Sequence, residues 1–440
     1  MAHIRPFAGI KYVPGGSNRF DLSNVIAPPY DVLDERGKAA LVAKDPHNIV
    51  NVDLPFLPPK SVGPDEVYER ANITLRSWLS AGILHKDQRR ALYPYTQTYD
   101  YNGKTYHRRG FIALVRLSPF GQGQVVPHEK TYKGPIEDRL KLMRATRVQL
   151  SPIFGLFSDT RHEVNKLLYE NLGKPELDAT LDGVRSQLWS VTDSVAENKV
   201  IDFMGTKPVY IADGHHRYTT ALQYQHDAQQ ANGGKPLPEA HPANWCMFVL
   251  VPMQDDGLLI LPTHRLIGGI ESFNIDAFKS AVQGVFDIVE TPLPSERVAE
   301  FADAILPVQP AHAMGLYDAR TRKLYQLNCK NPDVLAPLEP KQSDAWRRLD
   351  VAILQRYLLD EILQPKFAGA GKELVKGYTA YGREVVPMTE DGKKFQVALI
   401  IKSTPLGALE HLGRHGEVMP QKSTFFFPKL ATGMVINPLE

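Results

Sequence analysis

Mixed α and β structure, an α/β chain, is what the sequence predicts, on three observations. Apolar runs of strand length alternate with segments of helical periodicity. The dipeptide Asn102-Gly103 joins two long strand-like runs, and residues 209–212 pass directly through a glycine turn into a helix. With 440 residues there is room for two or three domains of roughly 100–200 residues each.

Taken in order, residues 4–12 read as a strand and Pro14-Gly15-Gly16-Ser17-Asn18 as a turn. Within 25–33 the consecutive Pro28 and Pro29 lock φ and restrict their predecessors, so a stiff extended path presents Tyr30 and Asp31 at a fixed place. Residues 65–82 carry Val67, Ala71, Leu75, Trp78 and Leu79 at helical spacing and stop at Gly82. A hairpin follows, 91–101 against 104–117, because Asn102-Gly103 supplies the positive φ angles of a tight turn. The next helix is expected over 135–147, with Ile136, Leu140 and Met143 inward and Arg139, Lys141, Arg144 and Arg147 outside. Residues 153–157 form a buried strand, 161–172 a helix, and 187–191 and 209–212 two further strands. Residues 232–238, rich in Gly and Pro, mark the clearest break and divide the chain into 1–235 and 236–440. The second part alternates strands (245–252, 258–261, 396–401) with helices (275–286, 295–304, 347–363).

Composition excludes several classes. The charges nearly cancel, 51 Lys+Arg against 49 Asp+Glu, which argues against a protein that coats nucleic acid; no DNA partner is expected. No stretch approaches the ~20 consecutive apolar residues of a membrane span. The start, Met1-Ala2-His3-Ile4-Arg5-Pro6-Phe7, has no basic segment followed by an apolar run, so export is not expected. Two cysteines, Cys246 and Cys329, without CxxC spacing suggest neither zinc nor a disulfide framework, and a reducing cytoplasm fits best.

The chemistry concentrates at Asp213-Gly214-His215-His216-Arg217-Tyr218, read as strand end, glycine turn and helix start. A helix N-terminus presents backbone donors and a positive dipole end, Gly214 lets a ligand approach the backbone, and Arg217 can grip a phosphate through two bonds. The bland account makes Asp213 an N-cap and His215 or His216 a satisfied core histidine; four polar groups in five residues favour the phosphate. A second constellation, Pro127-His128-Glu129-Lys130-Thr131, sets a carboxylate beside cations before the helix that carries Arg139. Near the end, Lys422-Ser423-Thr424-Phe425-Phe426-Phe427-Pro428-Lys429 reads either as a stacking platform with cations or, more simply, as strand core edged by prolines. Lys422 and Ser423 are candidate pocket residues, and Pro262-Thr263-His264-Arg265 is a lesser candidate.

Together with Ala27-Pro28-Pro29-Tyr30-Asp31-Val32, these motifs resemble the domain of unknown function 1015 family, over a span from Phe7 to Val435. More distantly, the Asp213–Arg217 motif and its helix with Ala221 are similar to the nucleotide-binding junction of the ParB and sulfiredoxin superfamily, which includes ParB-like free serine kinases. This resemblance implies a ParB/sulfiredoxin-like first domain with insertions, where nucleotide phosphate and magnesium rest on the motif while a carboxylate activates an amino acid hydroxyl. The sequence departs from those kinases in its greater length and in the long segment between Tyr30 and Asp213.

On that basis the expected activity is phosphoryl transfer from ATP or ADP to a hydroxylated metabolite such as free L-serine. Gly214, His215, His216, Arg217, Lys130 and Arg139 would hold the nucleotide, and Asp213 would orient the cluster or bind magnesium. Glu129 or Asp31 would take the acceptor proton, His216 is a further acid–base candidate, and Tyr30, Lys422 and Ser423 would line the acceptor. A phosphatase or nucleotide hydrolase in the same pocket, and a non-enzymatic nucleotide-gated binding module, stand as alternatives. A homodimer is compatible with either.

Overall fold

The computed structural model describes residues 2–13, 21–122, 124–129, 131, 133–270, 273–369, 371–390 and 392–440. They form two compact units, Met1–Pro127 with Thr131–Leu259 and Pro428–Glu440, and His128–Lys130 with Ile260–Phe427.

The main sheet of the first unit is formed by nine strands, β1 (Ile4–Arg5), β2 (Tyr93–Tyr101), β3 (Lys104–Arg116), β4 (Val125–Val126), β5 (Ile153–Phe157), β6 (Leu177–Leu181), β7 (Val184–Leu188), β8 (Val209–Asp213) and β9 (Trp245–Pro252). They run β4-β8-β5-β9-β3-β2-β7-β6, with β1 antiparallel on β3. The sheet is mixed: β9 is parallel to β5 and β8 to β4, while β8 on β5 and β9 on β3 are antiparallel. All eight residues of β9 are buried, as a continuous apolar run at the centre of a sheet should be. The β2–β3 hairpin turns at Asn102 and Gly103 with φ of 49° and 75°, the conformation expected of that dipeptide.

Three helices matter for the site: α1 (Asp65–Ser80), α2 (Lys133–Thr146) and α3 (His215–Ala231). Helix α1 buries Tyr68, Ala71, Leu75 and Trp78, and Gly82 with φ 70° follows it. Helix α2 starts at Lys133, ahead of the expected Pro135, and ends where Arg147 takes a φ of 52°. The expectation that Arg139 faces outward is corrected, since its side chain is only 6% exposed and is held by buried carboxylates.

Other expectations also shift. Residues 4–12 hold two short strands, because Pro6 lacks a donor; β1 is followed by Ile10–Tyr12, with Phe7 bridged to Ala91 between them. The expected turn at 14–18 lies outside the described residues. The break at 232–238 is an exposed loop inside the first unit, which continues to Leu259 because β9 inserts between β5 and β3.

The second unit is built on an antiparallel sheet. Its strands β10 (His264–Gly268), β11 (Phe286–Glu290), β12 (Met314–Asp318), β13 (Lys323–Cys329), β14 (Val375–Thr379) and β15 (Val397–Ile400) run β11-β13-β12-β15-β10-β14. Phe301, Leu306, Tyr317, Val385 and Ile400 belong to its core. Where one helix was expected over 347–363, Asp350–Ala352 leads into π-helical Ile353–Leu363. Among the described residues no helix is long and apolar enough to cross a membrane.

Candidate functional site

Strand β8 ends at Asp213, which pairs with Phe154 of β5 across a register shift between Ile211 and Asp213. Gly214 then takes φ 97°, a conformation L side chains rarely adopt, and α3 begins at His215. The sharp turn sets the Asp213 carboxylate beside the positive end of the helix dipole. Its Oδ2 accepts from Arg217 Nη2 at 2.8 Å and its Oδ1 from Lys429 Nζ at 3.2 Å. Arg217 also donates through Nη1 to the Pro152 carbonyl. Its guanidinium lies over the glycine, where an added Cβ would stand 3.0 Å from Nε.

The electrostatics follow from this packing. Burial pushes the Asp213 carboxyl toward protonation, but Lys429, Arg217 and His215 outweigh it and hold the group well below the usual carboxylate range. His215 is buried, while His216 is partly exposed on the first turn of α3.

Behind Arg217 lies a cavity of about 40 Å³, whose lining includes Tyr30, Asp53, Arg139, Ser151 and Cys246. The Arg139 guanidinium stacks 4.0 Å above the Tyr30 ring. It donates to Asp138 Oδ2 from Nε at 2.8 Å and to the Asp53 carbonyl from Nη1 at 2.5 Å. Tyr68 donates to Asp138 Oδ1 at 2.8 Å, and Ser151 reaches Asp53 Oδ2 at 3.3 Å. Burial raises the Asp53 carboxyl against the pull of Arg139 and Arg217. Asp31, one residue after Tyr30, is about one-third exposed, 3.9 Å from Lys60.

The second unit assembles three of the other predicted segments. Glu129 Oε1 accepts from the Ser423 backbone N–H at 3.1 Å, and His128 Nε2 lies 2.9 Å from Thr424 Oγ1. Lys422 takes a φ of 58°, and its carbonyl accepts from Thr263 Oγ1. Fully buried Arg265 donates to the carbonyls of Thr263 and Gln421, so the lesser motif at 262–265 fastens the loop that seats Glu129. Phe425–Phe427 is a strand with Phe426 buried, the simpler of its two readings. Lys130 lies outside the described residues.

The structure thus brings Asp213, Gly214, His215 and Arg217 together in one unit, and Glu129, Lys422 and Ser423 in the other. Sequence reasoning does not single out Lys429, which contacts Asp213, or Asp53, which lines the cavity. In the sequence Lys429 is one of the cations edging the phenylalanine run, and Asp53 sits in the short helix Val50–Asp53 without a charged neighbour to single it out.

Among solved structures, the chain is similar to a free serine kinase in complex with AMP (TM-score 0.32, 13% identity, 69% of this chain and 83% of that one). It is also similar to SbnI with a C-terminal truncation from Staphylococcus aureus (TM-score 0.35, 11% identity, 74% and 87%). A third is a conserved hypothetical protein from Pyrococcus furiosus (TM-score 0.32, 13% identity, 71% and 92%). No curated protein matches. The family model described as "Protein of unknown function (DUF1015)" matches residues 4–352, a span that includes the Tyr30 wall, Glu129 and the Asp213–Arg217 turn, and the chain belongs to that family.

Proposed function

We propose that the chain is a nucleotide-dependent phosphotransferase, with ATP or ADP as donor and a small hydroxylated metabolite, free L-serine, as acceptor. One observation carries this reading: Arg217 and Lys429 converge on Asp213 at the glycine turn that opens α3. Phosphoryl transfer asks mainly for positioning and charge neutralisation. The turn supplies a dipole end, a planar guanidinium suited to two phosphate oxygens, and a lysine ammonium. Asp213 keeps both cations aligned, and an incoming phosphate competes with it for the same donors.

A resident magnesium does not fit these side chains. Both oxygens of Asp213 are engaged by cations, and no cluster of three or more His, Cys, Asp or Glu able to hold a metal occurs among the described residues. A divalent ion arriving with a nucleotide would be held chiefly by the phosphates. The acceptor class follows the resemblance of the Asp213–Arg217 motif to ParB-like free serine kinases. Its proton goes to a carboxylate, Glu129 or Asp31.

Calorimetry with ADP tests the first step. Arg217→Ala removes a charge-assisted contact worth about 1.5–3 kcal/mol, so its Kd rises roughly ten- to a hundredfold over wild type. Glu129→Gln and Asp31→Asn then identify the base, as the variant that loses phosphoserine formation while keeping ADP affinity. Absence of ADP binding by the wild type overturns the reading, and phosphate release that needs no acceptor replaces it with hydrolysis.

A further inference from the structure

We infer that Gln97 and Arg108 are positioning residues that place the Lys429 ammonium on Asp213, a role that rests on the phosphate-site reading above. The two lie directly opposite each other on β2 and β3, and each is 1% exposed. Arg108 Nη2 donates to Gln97 Oε1 and, at 2.7 Å, to the carbonyl of Pro428. Gln97 Nε2 donates at 3.1 Å to the carbonyl of Lys429 itself. Two successive carbonyls are therefore gripped by one cross-strand pair.

The Arg108 guanidinium also packs on an aromatic ring. Its Cζ stands 4.7 Å from the centroid of the Phe154 ring, and Phe154 is the strand partner of Asp213. One buried group thus ties the strand neighbour of Asp213 to the backbone of Lys429. Lysine carries its charge on a flexible four-carbon stem, so where the ammonium rests depends on where its Cα is fixed. Burying a whole guanidinium carries a large desolvation cost, and burial accordingly lowers the Arg108 pKa. A tail needing only to be packed would be served by apolar side chains. The polar clamp instead fixes the register of 428 and 429, which sets a cation 3.2 Å from Asp213 Oδ1.

Gln97→Glu isolates the role in the full-length chain. Glutamate keeps the shape and the acceptor for Arg108 but, as a carboxylate, cannot donate to the Lys429 carbonyl. The first readout is acetylation of Lys429 by an N-hydroxysuccinimide acetate, followed by mass spectrometry. Once the ammonium is released from Asp213, Lys429 reacts about threefold or more faster than in wild type, near the rate seen in Asp213→Asn. The second is ADP affinity, which falls about tenfold in Gln97→Glu, as for one lost charge contact, and shows no further fall when combined with Lys429→Met.

Gln97→Met provides the same test should the glutamate variant not fold. Unchanged labelling of Lys429 in the folded variants overturns the inference, as does an equal loss of ADP affinity with and without Lys429. If wild type binds no ADP, the phosphate-site reading falls, while the labelling result still decides whether the clamp places Lys429.

Discussion

At Gly214 the backbone and the charges depend on one missing methyl group. Alanine there meets a φ of 97° and puts a Cβ 3.0 Å from Arg217 Nε. Such a conformation costs a non-glycine residue about 1–3 kcal/mol, and the flexible guanidinium gives way by leaving Asp213. Gly214→Ala is therefore expected to lose that much stability in urea unfolding and to bind ADP more weakly than Gly205→Ala, whose backbone is helical. His264 offers a second single-residue test. Burial, aided by the charge of Arg265, pushes its pKa down to about 3. Ile401 N–H donates to Nδ1, so the neutral ring keeps its proton on Nε2. Because the folded pKa lies below the unfolded value of about 6.5, the contribution to stability is complete above that pH. As pH falls the unfolded chain takes up the proton first, and stability drops until about pH 3. Unfolding free energies at pH 7 and pH 4.5 should differ by up to about 3 kcal/mol from this group, a difference that His264→Asn removes.

Among the elements, α2 shows how periodicity can succeed on the backbone and fail on a side chain. The helix forms where apolar spacing predicts it, yet Arg139, on the side expected to face water, is enclosed with Asp138, Asp53 and Tyr30. Hydropathy assigns charge to solvent and cannot register that these carboxylates come from Asp53 on another helix and Asp138 on its own. Although burial works against its charge, Asp138 and Asp53 hold the Arg139 pKa above its ordinary value. Arg139→Met leaves two buried carboxylates uncompensated, and breaking such a pair costs about 3–5 kcal/mol. Denaturant unfolding should show that loss, and adding Asp138→Asn should recover part of it, since asparagine still accepts from Tyr68 without carrying charge. The β2–β3 hairpin and the β8-to-α3 turn were legible because their determinants are contiguous: Asn102-Gly103 in one case, Asp213 to Arg217 in the other. Strands β10 to β14 carry no such contiguous signal, because their apolar runs are short or broken by charge, as in Phe286-Asp287-Ile288-Val289-Glu290.

Across the whole molecule, the site and the fold share a dependence that no local pattern reveals. Lys429 contacts Asp213 across 216 positions of sequence, brought there by a segment, 428–440, that belongs to the first unit. Ile436 exchanges backbone hydrogen bonds with Ile10, Thr432 does so with Ala27, and Asn437 pairs with Gln149. Leu430, Met434, Val435, Ile436 and Leu439 are buried along it. Each such side chain contributes about 1.5–3 kcal/mol on burial, so the five together rival the whole stability of a domain, about 5–15 kcal/mol. A chain stopped after Phe427 should therefore lose the protease resistance of the first unit, whereas full-length Lys429→Met keeps it and loses only ADP affinity. Adding a peptide of residues 428–440 should restore both properties to the shortened chain. With the Lys429→Met peptide, protection should return without nucleotide binding, because the apolar residues dock the segment and the lysine completes the charge at Asp213. If the shortened chain binds ADP as tightly as the full chain, Lys429 has no part in the site and Arg217 acts alone.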